Sequence, residues 1–119
     1  MLNNKINSQI NKKKSFLCIG LDIDINMIPK SLIEYDDPIF EFAKQIIDST
    51  NQYAIAYKPN IAFFEAHGVG GYKSLVKISE YLKNNYPEIF TIADAKRGDI
   101  GNTSKMYASA FLKDLDFDS

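Results

Sequence analysis

Asp94, Lys96 and Asp99 lie within six residues of one another in "DAKRGDIGNTS" (94–104), directly behind the apolar run "IFTIA" (89–93). A carboxylate, an ammonium and a second carboxylate at that spacing form a set suited to proton transfer. On an extended strand end, residues two apart share a face, so Asp94 and Lys96 are expected to be neighbours while Ala95 points away. Asp99 lies up to roughly 17 Å of extended chain beyond Asp94, within reach either of the pair or of another subunit. A lysine held between carboxylates stays protonated, because opposite charges favour its ionised form. It becomes a positioned acid, able to deliver a proton to a carbanion. A substrate carboxylate brought against an aspartate would have its repulsion relieved on loss of CO2.

Two more charged residues stand in equivalent places. "FLCIGL" (16–21) is followed by Asp22 and "YAIAY" (53–57) by Lys58. The spacings 58 − 22 and 94 − 58 are both 36 residues. All three apolar runs have strand length and lack the polar alternation of a sheet with one wet face, so they are expected to be covered on both faces. Helical spacing lies between them. In "PIFEFAKQIIDS" (38–49), Ile39, Phe42, Ala43, Ile46 and Ile47 fall on one side, after the capping pair Asp36-Asp37 and with Pro38 at the first helical position. Residues 71–84 repeat the pattern with Leu75, Ile78, Tyr81 and Leu82, and 102–112 with Met106, Ala110 and Phe111. A leading helix is expected over 1–14. This order predicts an α/β fold, a parallel sheet with helical crossovers. Binding groups in such folds gather at the carboxyl ends of the strands, so Asp22, Lys58 and Asp94 are expected to face one site. A single charge after a strand is ordinarily a solvated loop residue; three in phase favour the shared site.

Composition bounds the partners. A chain of 119 residues, 45% hydrophobic and 24% charged, is expected to form one domain over 1–119. A formal net charge of −1 builds no field for nucleic acid or an anionic membrane, which leaves small molecules. Cys18 is the only cysteine, so neither an internal disulfide nor a cysteine metal site is available. Between Leu17 and Ile19 it is expected to be a buried small hydrophobe in a reducing compartment. "MLNNKINSQINKKKS" has no apolar signal region, and no run approaches membrane-spanning length, so a cytoplasmic location is expected. Gly68, Gly70 and Gly71 spell neither a dinucleotide nor a Walker loop.

"DAKRGDIGNT", with the upstream "CIGLD" and "YKPNIAFFEAHG", resembles the orotidine 5′-phosphate decarboxylase family, in its bacterial subgroup with the DAKRGDI form of the motif. The likeness runs from about residue 16 to the end. It implies the N-terminal portion of a (β/α)8 TIM barrel, about three βα units after the leading helix. It also implies decarboxylation of orotidine 5′-monophosphate to uridine 5′-monophosphate in pyrimidine biosynthesis. Lys58, Asp94, Lys96 and Asp99 match the family's charged network, with Lys96 protonating C6, Asp94 beside the departing carboxylate, and Lys58 holding Asp94 and the ribose. Asp22 matches a residue that binds a ribose hydroxyl. Asp99, Ile100 and Thr103 match positions that approach the nucleotide from the partner subunit of a homodimer. Asn60 is a candidate site-lining residue and equally a candidate turn or cap residue. The family uses neither metal nor organic cofactor. A complete barrel takes about 250 residues, and "LKDLDFDS" stands where a fourth strand begins. The chain is therefore expected to need the C-terminal half, with its phosphate-binding groups, and to be inactive alone.

Ile23 stands where family members often carry proline. Asp24 is expected to form a turn, His67 to serve a helix end or a structural hydrogen bond, and Arg97 to pair with acidic neighbours near the interface. Two rivals remain. Mg2+-dependent sugar-phosphate decarboxylases and synthases of the same barrel group share Asp-x-Lys-x-x-Asp but place an acid where Lys58 stands, and a cation is a poor neighbour for Mg2+. The other is a non-enzymatic half-barrel that binds small molecules or oligomerises.

Overall fold

Asp37 starts the best-defined helix: its carboxylate accepts the Phe40 N–H at 3.0 Å, and Pro38 follows at the first helical position. Helix α2 (Pro38–Thr50) buries Ile39, Ala43 and Ile47 in one core with Leu75, Ile78 and Leu82 of α4 (Gly68–Asn85). Polar ties lock both ends of this helix pair. Ser74 and Lys77 donate to Asp37, each at 2.8 Å, and at the far end Tyr81 and Tyr86 donate to Asp48 at 2.5 and 2.9 Å. Burial pushes the Asp37 carboxyl up, but Lys77, the Phe40 N–H and the Ser74 hydroxyl together hold it below the usual carboxylate range.

The computed structural model describes residues 2–119; Met1, the first residue of the expected leading helix, lies outside them. The remaining elements are α1 (Leu2–Lys13), β1 (Leu17–Leu21), a 3-10 turn (Lys30–Leu32), β2 (Ala54–Pro59), α3 (Ile61–Glu65), β3 (Phe90–Thr91) and α5 (Gly101–Ala108), which runs into a π-helical turn (Ser109–Asp114). The sheet is parallel in the order β1-β2-β3. From Ala56 onward along β2, and along β3, its two faces separate by alternation. Ile19, Leu21, Tyr57 and Ala93 pack with α2 and α4, whereas Ala56, Phe90 and Ile92 pack with Ile6 and Ile10 of α1. The second, inner face also carries Cys18, Gly20, Asp22, Lys58, Asn60 and Asp94 by the same period of two.

Several expectations need correction. Helix α3 was not legible, although Ile61 and Phe64 are buried at helical spacing, and α4 begins three residues earlier than expected. Gly71 permits the approach of these two helices: a Cβ there would fall 1.9 Å from the Phe64 carbonyl oxygen. Strand β2 continues to Pro59, so Lys58 projects from within it rather than from beyond it, and β3 is only two residues long. Leu17 and Cys18 are exposed, not covered. The reason is topological: among the described residues β1 pairs only with β2, so it is an edge strand.

The chain's last residue extends the sheet past β3. Ser119 donates to the Thr91 carbonyl at 3.1 Å and accepts from the Ala93 N–H at 2.7 Å, the hydrogen-bond pattern of a parallel ladder. Asp118 beside it accepts from Lys5 of α1 at 2.6 Å and from the Thr91 N–H at 2.9 Å. No helix among the described residues is long and apolar enough to cross a membrane.

Candidate active site

Lys58 emerges on the inner face of the central strand, directly across the ladder from Gly20, which leaves the space beside it free of a side chain. Its ammonium stands 3.1 Å from one Asp94 oxygen, and the Lys96 ammonium stands 2.6 Å from the other. One carboxylate thus takes a cation on each oxygen. The Asp94 backbone is fixed as well: it is bridged to Asn60, donating to the Pro59 carbonyl and accepting from the Ile61 N–H, both at 3.1 Å. Lys96 first, and Lys58 second, hold the Asp94 carboxyl below the usual carboxylate range. The hydrogen bond to Asp94 in turn pushes the Lys58 ammonium up, against a smaller opposing effect of burial.

Asp22 and Asn60 form a second pair on the same rim, with the Asn60 amide donating to the Asp22 carboxylate at 3.1 Å. The other amide atom, Asn60 Oδ1, is buried with no partner among the described residues. The Asn60 backbone meanwhile begins α3, its carbonyl accepting the Phe63 N–H at 3.1 Å. Asn60 therefore starts α3 through its backbone while its side chain is turned to Asp22.

Asp94 and Lys96 do meet, though not along an extended strand. The Ala95 N–H turns back to the Ala93 carbonyl at 2.8 Å, and Lys96 adopts φ +52°. A left-handed lysine costs about 1 kcal/mol relative to the right-handed region and persists only where its surroundings fix it. The same turn carries Asp99 away. Its carboxylate accepts the Ile100 N–H at 2.7 Å and makes no ion pair with Lys96 among the described residues. Within one chain, then, Lys96 is held by a single carboxylate. Asp99, Ile100 and Thr103 all lie on exposed backbone, and α5 buries none of its residues.

The remaining candidates have structural roles here. Asp24 accepts the Asn26 N–H at 2.9 Å in a turn, while Ile23 is buried in the main core. His67 sits at the N-cap position of α4. Arg97 pairs with Glu65 and donates to the Ala95 carbonyl at 2.7 Å. Glu65 and Gly20 were not singled out from the sequence. The apolar pair Ile61 and Phe64 after Asn60 was the available signal for α3 and hence for Glu65. Among the described residues no three His, Cys, Asp or Glu side chains are grouped to hold a metal ion.

Two lysines and two aspartates thus gather at the carboxyl ends of three parallel strands, and the chain that carries them is similar to known proteins. The model of the orotidine 5′-phosphate decarboxylase / HUMPS family matches residues 15–119. The chain belongs to that family. Two relatives named orotidine 5′-phosphate decarboxylase illustrate the range. The one from Flavobacterium johnsoniae is 60% identical over the whole of this chain and the one from Porphyromonas gingivalis 50%. The chain spans 44% and 43% of their respective lengths. Among solved structures, the Leishmania donovani OMP decarboxylase superposes with a TM-score of 0.79 at 34% identity, covering 98% of this chain and 41% of that one. The Plasmodium berghei orotidine 5′-monophosphate decarboxylase gives 0.83 at 25%, covering 99% and 51%. The three βα units are thus part of the family's TIM barrel, with the charged rim at the carboxyl ends of its strands.

Proposed function

We propose that the chain supplies the proton-transfer half of an orotidine 5′-phosphate decarboxylase site. The observation that carries this reading is the single Asp94 carboxylate bound on both oxygens by Lys58 and Lys96. In the proposed step the C6–carboxylate bond of orotidine 5′-monophosphate breaks, CO2 leaves, and the bonding pair stays on C6. Lys96 then gives its proton to C6, yielding uridine 5′-monophosphate, and recovers a proton from water. Asp94 stands beside the departing carboxylate, and its two lysines keep it ionised there. Lys58 orients Asp94 and the ribose, while Asp22 and Asn60 take ribose hydroxyls. Asp99, Ile100 and Thr103 reach the nucleotide of a second copy, so the site is shared across a homodimer. The step needs neither metal nor organic cofactor, and the enzyme works in the cytoplasm. Phosphate capture belongs to the rest of the barrel, and the 119-residue chain alone has no useful turnover.

The Mg2+-dependent sugar-phosphate reading is disfavoured by Lys58, whose ammonium occupies the place where that chemistry needs an oxygen ligand. The test is an exchange: this sequence replaces the matching 119 residues of the Flavobacterium johnsoniae relative. Decarboxylation by the folded hybrid, abolished by Lys96→Ala and weakened in KM by Asp22→Ala, is expected. A folded hybrid that binds uridine 5′-monophosphate but does not decarboxylate would refute the assignment of Lys96.

A further inference from the structure

The turn that carries Lys96 is fixed firmly on one side only. On its amino side Asp94 is bound by backbone hydrogen bonds to Pro59 and Ile61. On its carboxyl side, among the described residues, the N–H groups of residues 96–99 donate to no backbone carbonyl. Arg97 takes the place of those bonds. One nitrogen of its guanidinium donates to the Ala95 carbonyl at 2.7 Å, another to the Glu65 carboxylate, and the group lies 6.0 Å from the centre of the Tyr107 ring on α5. The rigid planar fork of arginine suits it to two acceptors in fixed directions, which a lysine cannot hold. Side-chain exposure follows this division, 28% for Arg97 and 65% for Lys96.

Both anchors refer to one frame. Asn60 is bridged to Asp94 and also begins α3, at whose last residue Glu65 stands. A closed circuit therefore runs from Asp94 through Asn60 and α3 to Glu65, across to Arg97, and back through Lys96 to Asp94. Lys96, at φ +52°, is the strained link in that circuit.

We propose that Arg97 and Glu65 are positioning residues: their clasp holds Lys96 in its left-handed conformation and so keeps its ammonium on Asp94. The functional weight of this rests on Lys96 being the proton donor, as argued above; the clasp itself does not. The experiment uses the 119-residue chain without nucleotide. Lys96 is read by pulsed amine labelling with mass spectrometry, against exposed Lys12 of α1, and by the amide–Hα coupling that reports its φ. Glu65→Gln and Arg97→Met are each expected to raise Lys96 labelling about 1.5- to 5-fold, the range open to an exposed ion pair, and to move the coupling off its left-handed value. Arg97→Lys is expected to behave like Arg97→Met. Glu65 is an exposed helix-end residue, so its conservative replacement leaves the fold intact and the measurement readable. Unchanged labelling and coupling in Glu65→Gln and Arg97→Met would overturn the clasp, and full retention by Arg97→Lys would reduce it to charge alone. Neither readout involves nucleotide, so failure of the clasp and failure of the decarboxylase reading give different results.

Discussion

Gly71→Ala sets helix propensity against packing at one atom. Replacing a glycine in the first turns of a helix by alanine ordinarily stabilises it by about 1 kcal/mol. At this position the new Cβ would lie 1.9 Å from the Phe64 carbonyl oxygen and 2.8 Å from its carbon, where ordinary contact begins at 3.4 Å. Those are backbone atoms at the end of α3, so no rotamer relieves the clash. The two helices must separate by about 1.5 Å, through a core holding Leu75, Ile78 and Phe64. Overpacking of this kind costs about 1–3 kcal/mol. Set against the helix-propensity gain of about 1 kcal/mol, the net loss is up to about 2 kcal/mol. With a urea dependence of about 1.5 kcal/mol per molar for a chain of this size, the midpoint should fall by up to about 1.3 M. Two neighbours provide controls in the same helix. Gly70 has open space around its Cβ position and an ordinary φ, so Gly70→Ala should raise the midpoint, whereas Gly68, at φ +59°, should lose stability on substitution through strain alone. Urea unfolding of the three variants gives the answer by sign. A midpoint raised equally by Gly71→Ala and Gly70→Ala would refute the close approach of α3 and α4.

Asp37→Ala removes the α2 cap and unpairs Ser74 and Lys77, and is expected to cost about 1–2 kcal/mol in the same assay. Asp94→Asn tests the pH dependence. The folded-state pKa of Asp94 lies below its ordinary value, so its contribution to stability is fully present above that value and is lost as pH falls through the folded pKa. Asp94→Asn should therefore be less stable at neutral pH and show a flatter acid limb; an acid limb as steep as that of the unmodified chain would count against the double ion pair. Asp22→Ala should weaken uridine binding by the exchanged barrel more than uracil binding, because Asp22 and Asn60 are assigned to the ribose; equal losses on both would remove that assignment.

The barrel units were legible because apolar runs and amphipathic stretches alternate with a constant 36-residue phase, and that phase alone brings Asp22, Lys58 and Asp94 to one rim. Cys18 was misread for a reason no local pattern contains: flanking hydrophobes predict burial, but whether an inner-face residue is covered depends on what stands opposite it. Lys96 was misread in path though not in partner. Alternation along a strand places Asp94 and Lys96 together, yet β3 ends at Thr91, and a turn with a left-handed lysine produces the same meeting. No glycine marks that turn at position 96, so the sequence carried no sign of it. Asp37 and Pro38, by contrast, act as read, one as the cap of α2 and the other at its first position.

On the proposed reading, the charges on the rim suit proton transfer rather than capture of an anion. Lys58 and Lys96 are balanced by Asp94 and Asp22, and the whole chain carries only −1, so no surplus positive potential is left to attract a nucleotide phosphate. What the arrangement offers is direction. Asp94 takes one lysine on each carboxylate oxygen, and its backbone is bridged to the central strand. Beneath the rim, Ala56, Phe90 and Ile92 form an apolar floor with Ile6 and Ile10 of α1. Lys96 is 65% exposed in this chain, so on the proposed reading it is the rest of the barrel and the bound nucleotide that exclude water and strengthen these charges against a developing carbanion. On the proposed reading, affinity comes from phosphate contacts elsewhere in the barrel, while these strands contribute geometry. The clasp through Arg97 and Glu65 belongs to the same economy of parts, since it acts on the one residue of the cluster that leaves the sheet.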